Sequence, residues 1–340
     1  MKKSIAPFFV LLGVVILALV YPGVPGPAIT EGLVTGDVAW MLVASALVFI
    51  MTPGLAYFYG GMIDNKNIIT TMLQSFIAMG IVSIIWVVFG FSLAFGTTIG
   101  GFVGDPSTFF MLSNVMDGKP WSLAPTIPLA LFAFFQLKFA IITPALISGT
   151  FSERIRFESY ILFMCLFSIF IYAPLAHMTW HPEGFLFKLG VLDFAGGTVV
   201  HMSAGLAALA ASIYLKGDKG SDPHAPANVP FVLLGTGLLW FGWFGFNGGS
   251  AFSAGNLAMS AFATTNTASA AAGLTWVLFD VLKGKKPSAL GFCIGAVVGL
   301  VAITPACGFV TVPSSIVIGF VAAIVSNLVV SWKNKSNILH

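Results

Sequence analysis

Nine long apolar stretches, separated by loops that carry most of the charge, constrain this chain more than any other feature. They run over 38–60, 69–96, 126–149, 158–177, 198–215, 230–247, 257–281, 289–307 and 313–332. A bilayer core is crossed by ~20 helical residues, and backbone polar groups inside lipid must be satisfied within the segment. Runs of this length therefore fold as membrane helices. Only 8% of the 340 residues are charged and 58% are hydrophobic, against ~25% charged in a soluble domain. That balance excludes an ordinary soluble enzyme and a disordered chain. The net charge of +3 is too small and too scattered to form a nucleic-acid-binding face. Cys165, Cys293 and Cys307 all fall inside apolar stretches, so they are no disulfide framework. The sequence predicts an all-α polytopic membrane protein.

Residues 1–28 read as a signal peptide or as an uncleaved N-terminal anchor. Lys2 and Lys3 precede an apolar run over 5–21, and Gly26 and Ala28 suit the small positions of a cleavage site. The cations then fix a topology. With the N-terminus outside, one set of loops holds Lys66, Arg154 with Arg156, Lys216 with Lys219, Lys283 with Lys285 and Lys286, and Lys333 with Lys335. The opposite loops hold only Lys119 and Lys188, beside Asp105, Asp117 and Glu183. This is a positive-inside pattern for a multi-pass protein of the cell (inner) membrane.

An internal repeat is visible. The first span ends Phe58-Tyr59-Gly60-Gly61 and the sixth ends Phe246-Asn247-Gly248-Gly249. The third carries Ile142-Thr143-Pro144-Ala145 and the eighth Ile303-Thr304-Pro305-Ala306. Corresponding spans are five apart, an odd number, so the halves must be inverted. The membrane domain over 37–332 thus divides into a five-helix repeat (37–216) and an incomplete second repeat (230–332), followed by a tail (333–340). Inverted repeats point to a transporter or channel with its site near the bilayer midplane.

Polar groups inside the spans are the candidate site. His201 sits in the otherwise apolar run Val199-Val200-His201-Met202. An ionisable residue within a span is costly and marks function by default, and a neutral imidazole both donates and accepts. Lys138 is the second intramembrane charge and needs a cavity, a partner or the subunit interior. Asp193, just before the fifth span, suits a cap for that helix or an acceptor for loop amides. Trp180, Phe135, Phe139, Trp243, Phe246 and Ser250 gather toward one membrane face. Rings with a hydroxyl there would hold a small cation, and a pair of phenylalanines below would form a dry constriction. His177 and His181 stand four apart but lack the glutamate of a zinc-protease motif, and read as an interfacial pair.

The chain closely resembles the ammonium transporters (the Amt, methylammonium permease and Rhesus superfamily). The stretches that carry the resemblance are TPGLAYFYGGMIDNKN (52–67), FQLKFAIITPALISGTFSERIRF (135–157), LDFAGGTVVHMSAG (192–205), WFGFNGGSAF (243–252) and ITPACGF (303–309). The resemblance implies an inverted-repeat bundle of about eleven spans, assembled as a homotrimer with one pore per subunit, and uptake of ammonium or ammonia. By the same resemblance, Trp180, Phe135, Phe139 and Ser250 form the outer recruitment site and Phe139 with Phe246 the stacked gate. Trp243 lines the pore, Asp193 is a structural carboxylate, and His201 is the first of two pore histidines.

Here the sequence departs from the family. The family pattern continues past the ninth span with a tenth that holds the second histidine, an eleventh and an inner tail. This sequence instead closes on 332–340, and His340 follows a basic loop. The expectation is a chain lacking two helices: a truncated product, a fragment or a variant. Transport with deprotonation at the outer site and a histidine proton relay is the leading reading. An ammonium sensor of the same fold and an inactive fragment are the alternatives. No enzyme activity, cofactor, metal or nucleic-acid partner is expected, and membrane lipid and a PII-type cytoplasmic regulator are the implied partners.

Overall fold

The computed structural model describes residues 5–22, 31–152, 154–215 and 226–333. Among the described residues, ten helical segments of 15 or more residues follow one another: α1 (Ala6–Val20), α2 (Thr35–Met62), α3 (68–95), α4 (Leu129–Phe151), α5 (157–180), α6 (197–215), α7 (Val229–Gly249), α8 (Asn256–Leu282), α9 (Ala289–Ile303) and α10 (Val312–Lys333). Each expected span coincides with one of α2 to α10, with ends within four residues. Among the described residues, seven helices are long and apolar enough to cross a membrane. A two-residue hairpin, β1 (Thr98–Ile99) with β2 (Val103–Gly104), decorates the loop after α3. Lys2, Lys3, Gly26, Ala28, Lys216, Lys219, Lys335 and His340 lie outside the described residues.

Helix α1 buries none of its residues, and Tyr21 just past its end meets Phe110 edge-on at 5.5 Å. The core is built on α2 against α7. A methyl group at Gly61 would stand 2.6 Å from the Asn228 carbonyl oxygen, and one at Gly245 would stand 2.7 Å from that of Ala44. Residues late in α2 therefore meet residues early in α7, and the reverse. The pair is antiparallel, as inverted halves require. Without a hydrophobic force between helices in lipid, such close backbone approach is what holds them. We expect Gly245→Ala to lower unfolding stability by about 1–3 kcal/mol through overpacking. A melting transition unchanged from that of the parent protein would refute the close-packed interface.

Two elements depart from simple apolar spans. α9 ends at Ile303 rather than near 307, and the chain turns through Thr304-Pro305 where the Pro305 carbonyl accepts from Phe194 N–H (3.1 Å), whereas α4 continues through the matching Pro144. α8 is long but rich in Ala, Ser and Thr, and buries Thr264, Thr265, Ala268, Ser269 and Ala272. Its hydroxyls bond within the bundle: Thr264 Oγ1 donates to the Cys307 carbonyl (2.8 Å), Ser269 Oγ to that of Ala296 (3.1 Å), and Thr267 pairs with Ser315. Small residues let backbones close up, and interhelical hydrogen bonds add to the packing. The two repeated Thr-Pro motifs also share a local structure. Thr143 Oγ1 donates to the Phe139 carbonyl (2.6 Å) and Thr304 Oγ1 to that of Leu300 (2.7 Å).

Candidate functional site

The site begins where the chain turns into α6. Asp193 is buried, and its two oxygens accept four backbone N–H groups: Gly196 (2.8 Å) and Gly197 (2.7 Å) on one, Thr198 (2.8 Å) and Val199 (3.1 Å) on the other. Four orphan donors at a helix start are satisfied by one side chain. Burial pushes the carboxyl pKa up, and the four amides pull it down. Gly196 takes φ +110°, a conformation that side chains disfavour. Gly197 lies so close to Pro305 that a methyl group would stand 2.6 Å from the ring carbons. Phe194 N–H reaches the Pro305 carbonyl at 3.1 Å. The start of α6 is thus pinned against the end of α9.

The first turn of α6, Gly197–Met202, is a π-turn, a wide coil found preferentially at functional sites. It carries His201. The imidazole stacks on Trp243 (centroids 5.3 Å, 22° between planes) and on Phe246 (5.9 Å, 29°). Its Nε2 is buried with no hydrogen-bond partner. Trp243 is held by its indole N–H, which donates to Thr304 Oγ1 at 2.8 Å. Phe246 in turn stacks on Phe139 at 4.1 Å and 29°. Both phenylalanines are at most 1% exposed. Trp180 meets the edge of Phe139 at 6.0 Å, and its own N–H donates to the Asp193 carbonyl (3.1 Å).

Above Phe139 opens a cavity of about 380 Å³, walled by Trp121, Phe132, Trp180 and Phe252, with Gln136, Thr179, Asp193 and Ser250 as polar residues. Ser250 Oγ donates to the Phe246 carbonyl (2.8 Å), so its lone pairs remain for a donor in the cavity. Gln136 Oε1 is buried without a partner. Trp180, Phe139, Ser250 and Asp193 all line this cavity. Phe135 does not: it packs behind the wall, against Phe139 (4.9 Å) and Phe252 (5.9 Å). From the cavity, one line of contact runs through Phe139 and Phe246 to His201 and Trp243.

Sequence reasoning missed Trp121, Phe132 and Phe252. Phe132 was within reach, since 132, 136 and 139 fall on one helix face. Trp121 comes from the loop before α4, where no periodicity places it. Phe252 holds φ +55°, a strained region for a bulky side chain, and its ring packs on Phe132 at 5.3 Å.

Lys138 lies off this line. Its Nζ sits over Phe49 (5.1 Å) and Phe134 (5.9 Å), so aromatic faces are its neighbours. His177 and His181 stack at 4.4 Å. His177 Nδ1 meets the Ala94 carbonyl (3.1 Å), which can only accept, so Nδ1 carries the proton and Nε2 accepts from Thr98 Oγ1 (2.9 Å). The pair braces α5 against the end of α3.

A bundle of membrane helices around such a column, with inverted halves, is the architecture of a solute carrier. Residues 39–339 match the model of the Ammonium Transporter Family. The ammonium transporter of Bacillus subtilis is 46% identical over 295 residues, which cover 85% of this chain and 71% of the relative. The crystal structure of Saccharomyces cerevisiae Mep2 superposes with a TM-score of 0.85 at 38% identity, over 91% of this chain and 69% of that one. A structure titled as a sensor Amt protein gives 0.80 at 30% identity, over 87% and 74%. The chain belongs to the ammonium transporter family.

Proposed function

We propose that this chain carries ammonium across the membrane along the column from the aromatic cavity to His201. The observation that carries the reading is the stacked Phe139–Phe246 pair, closed between an aromatic-walled cavity and an imidazole with a free buried nitrogen. An ammonium ion in water is strongly hydrated, and a dry ring pair cannot replace that shell. The cavity can in part, through ring faces, the Ser250 lone pairs and Gln136 Oε1. At the ring pair the ion gives its proton to water in the cavity, and neutral ammonia passes the rings at far lower cost. His201 takes part in moving the proton, since a neutral imidazole can accept on one ring nitrogen while donating from the other, and its Nε2 is unpartnered. The Lys- and Arg-bearing loops then face the cytoplasm, and the cavity faces outward. Three copies assemble as a trimer with one column each.

The experiment is ammonium-evoked charge movement in proteoliposomes holding the purified protein. A saturable current supports the reading, and its absence from a folded, reconstituted protein overturns it. Within that assay, Trp180→Ala is expected to raise the half-saturating ammonium concentration by roughly 5- to 30-fold, the range of a ~1–2 kcal/mol cation–π contact, and to change the maximal current less. An unchanged half-saturation would refute recruitment at Trp180. Likeness to a sensor Amt structure favours one second reading, ammonium binding without flux. Saturable binding with no current would select it.

A further inference from the structure

Thr179 is a polar residue that the column leaves unused. It stands at the end of α5, beside Trp180, and is buried to 2% exposure. It lines the aromatic cavity, and its Oγ1 is buried with no hydrogen-bond partner. A helical threonine commonly donates its hydroxyl proton to a carbonyl three or four residues back. Thr143, Thr236 and Thr304 do so here. Thr179 does not, and an unmet buried hydroxyl is costly until a ligand supplies the partner. We propose that Thr179 sets the specificity of the cavity: its oxygen accepts one N–H of the bound ion and is the third side-chain acceptor to do so, so that the site selects ions with three or more N–H groups. This rests on the reading of the cavity as the recruitment site for ammonium.

Three helices bring the three oxygens to one cavity. Gln136 on α4 is one turn before Phe139, and Ser250 past the end of α7 is one turn after Phe246. Phe139 and Phe246 stack at 4.1 Å, so both residues stand one turn from the same ring pair, on its cavity side. Thr179 comes from α5, whose next residue, Trp180, meets the edge of Phe139 at 6.0 Å. Gln136 Oε1 is unpartnered like Thr179 Oγ1, and Ser250 Oγ has given its proton to the Phe246 carbonyl. Asp193 is the other acidic or polar side chain at the cavity, and its two oxygens already take four backbone N–H groups. Three acceptors facing aromatic rings suit ammonium, and also methylammonium with its methyl group against a ring. Dimethylammonium has two N–H groups, so one buried acceptor stays unmet. A site built to hydrogen-bond a group rejects an analogue lacking it more strongly than an apolar pocket rejects one extra carbon.

The test is calorimetric titration of the purified full chain with ammonium, methylammonium and dimethylammonium chloride at constant ionic strength. Thr179→Val keeps the shape of the side chain and removes the hydroxyl. It is expected to weaken ammonium and methylammonium about tenfold, the factor for one hydrogen bond to a charged group, and to leave dimethylammonium nearly unchanged. The parent's preference for ammonium over dimethylammonium shrinks accordingly. Thr179→Ser, which returns the hydroxyl, is expected to restore most of the loss. A folded Thr179→Val protein that binds ammonium as the parent does, or that weakens all three cations alike, would overturn the proposal. The cavity's assignment would then still stand if Trp180→Ala weakened ammonium. A parent protein that binds no ammonium, or binding unmoved by Trp180→Ala, would overturn that assignment and the role of Thr179 with it.

Discussion

His201→Ala is expected to cut the ammonium-evoked current by about 100-fold, the lower side of what a positioned proton-transfer group contributes. The reason is local. His201 stacks directly on Phe246 of the ring pair, its Nε2 is buried and unpartnered, and its plane is set by Trp243 and Phe246. Alanine removes the imidazole that stacks on Trp243 and Phe246. It also leaves Trp243 and Phe246 without a stacking partner, so folding must be checked beside flux. His201→Gln restores a hydrogen-bonding side chain of similar length without proton exchange at neutral pH. A folded Gln variant with full current would remove His201 from the proton path, whereas a full loss in both variants supports it.

Asp193→Asn is expected to be the most damaging change to folding, at a cost of about 3 kcal/mol or more. Hydrogen bonds to a charged acceptor contribute about 1.5–3 kcal/mol each, and unmet buried donors are costly. The carboxylate serves four amides. The carboxamide keeps one oxygen, and its NH₂ group confronts two backbone N–H donors. The consequence should spread, because Trp180 Nε1 bonds to the Asp193 carbonyl and Phe194 N–H to Pro305. Thermal unfolding followed by size exclusion would read the loss. A variant that melts with the parent protein would show that the four amides are not held by charge.

Much of this was legible from sequence, and for identifiable reasons. Apolar runs fix the helices because lipid forbids unpaired backbone, so the spans stood out with ends nearly correct. His201 and Asp193 stood out because polar groups there are rare and costly. The roles of Phe139, Phe246, Trp180 and Ser250 came from resemblance to a family, since one Phe among 33 carries no local mark of its partner. Phe135 shows the limit: it is one residue from Gln136, and the helix turns it behind the cavity wall. Trp121 and Phe252 arrive from loops, where placement depends on contacts distant in sequence. The π-turn at Gly197–Met202 has no composition signal either, although it sets the direction of the imidazole. The partner of Lys138 was equally hidden, because ring faces on α2 and α4 supply it.

The 4.1 Å stack of Phe139 on Phe246 has a consequence for the energetics of the cell. Two rings in contact leave no continuous file of water, and a file of water would conduct protons in either direction. The ring pair is therefore an insulator. On the proposed reading, charge crosses only as the proton of a bound ammonium passed on by groups of the column such as His201, and no open water file leaks protons beside it.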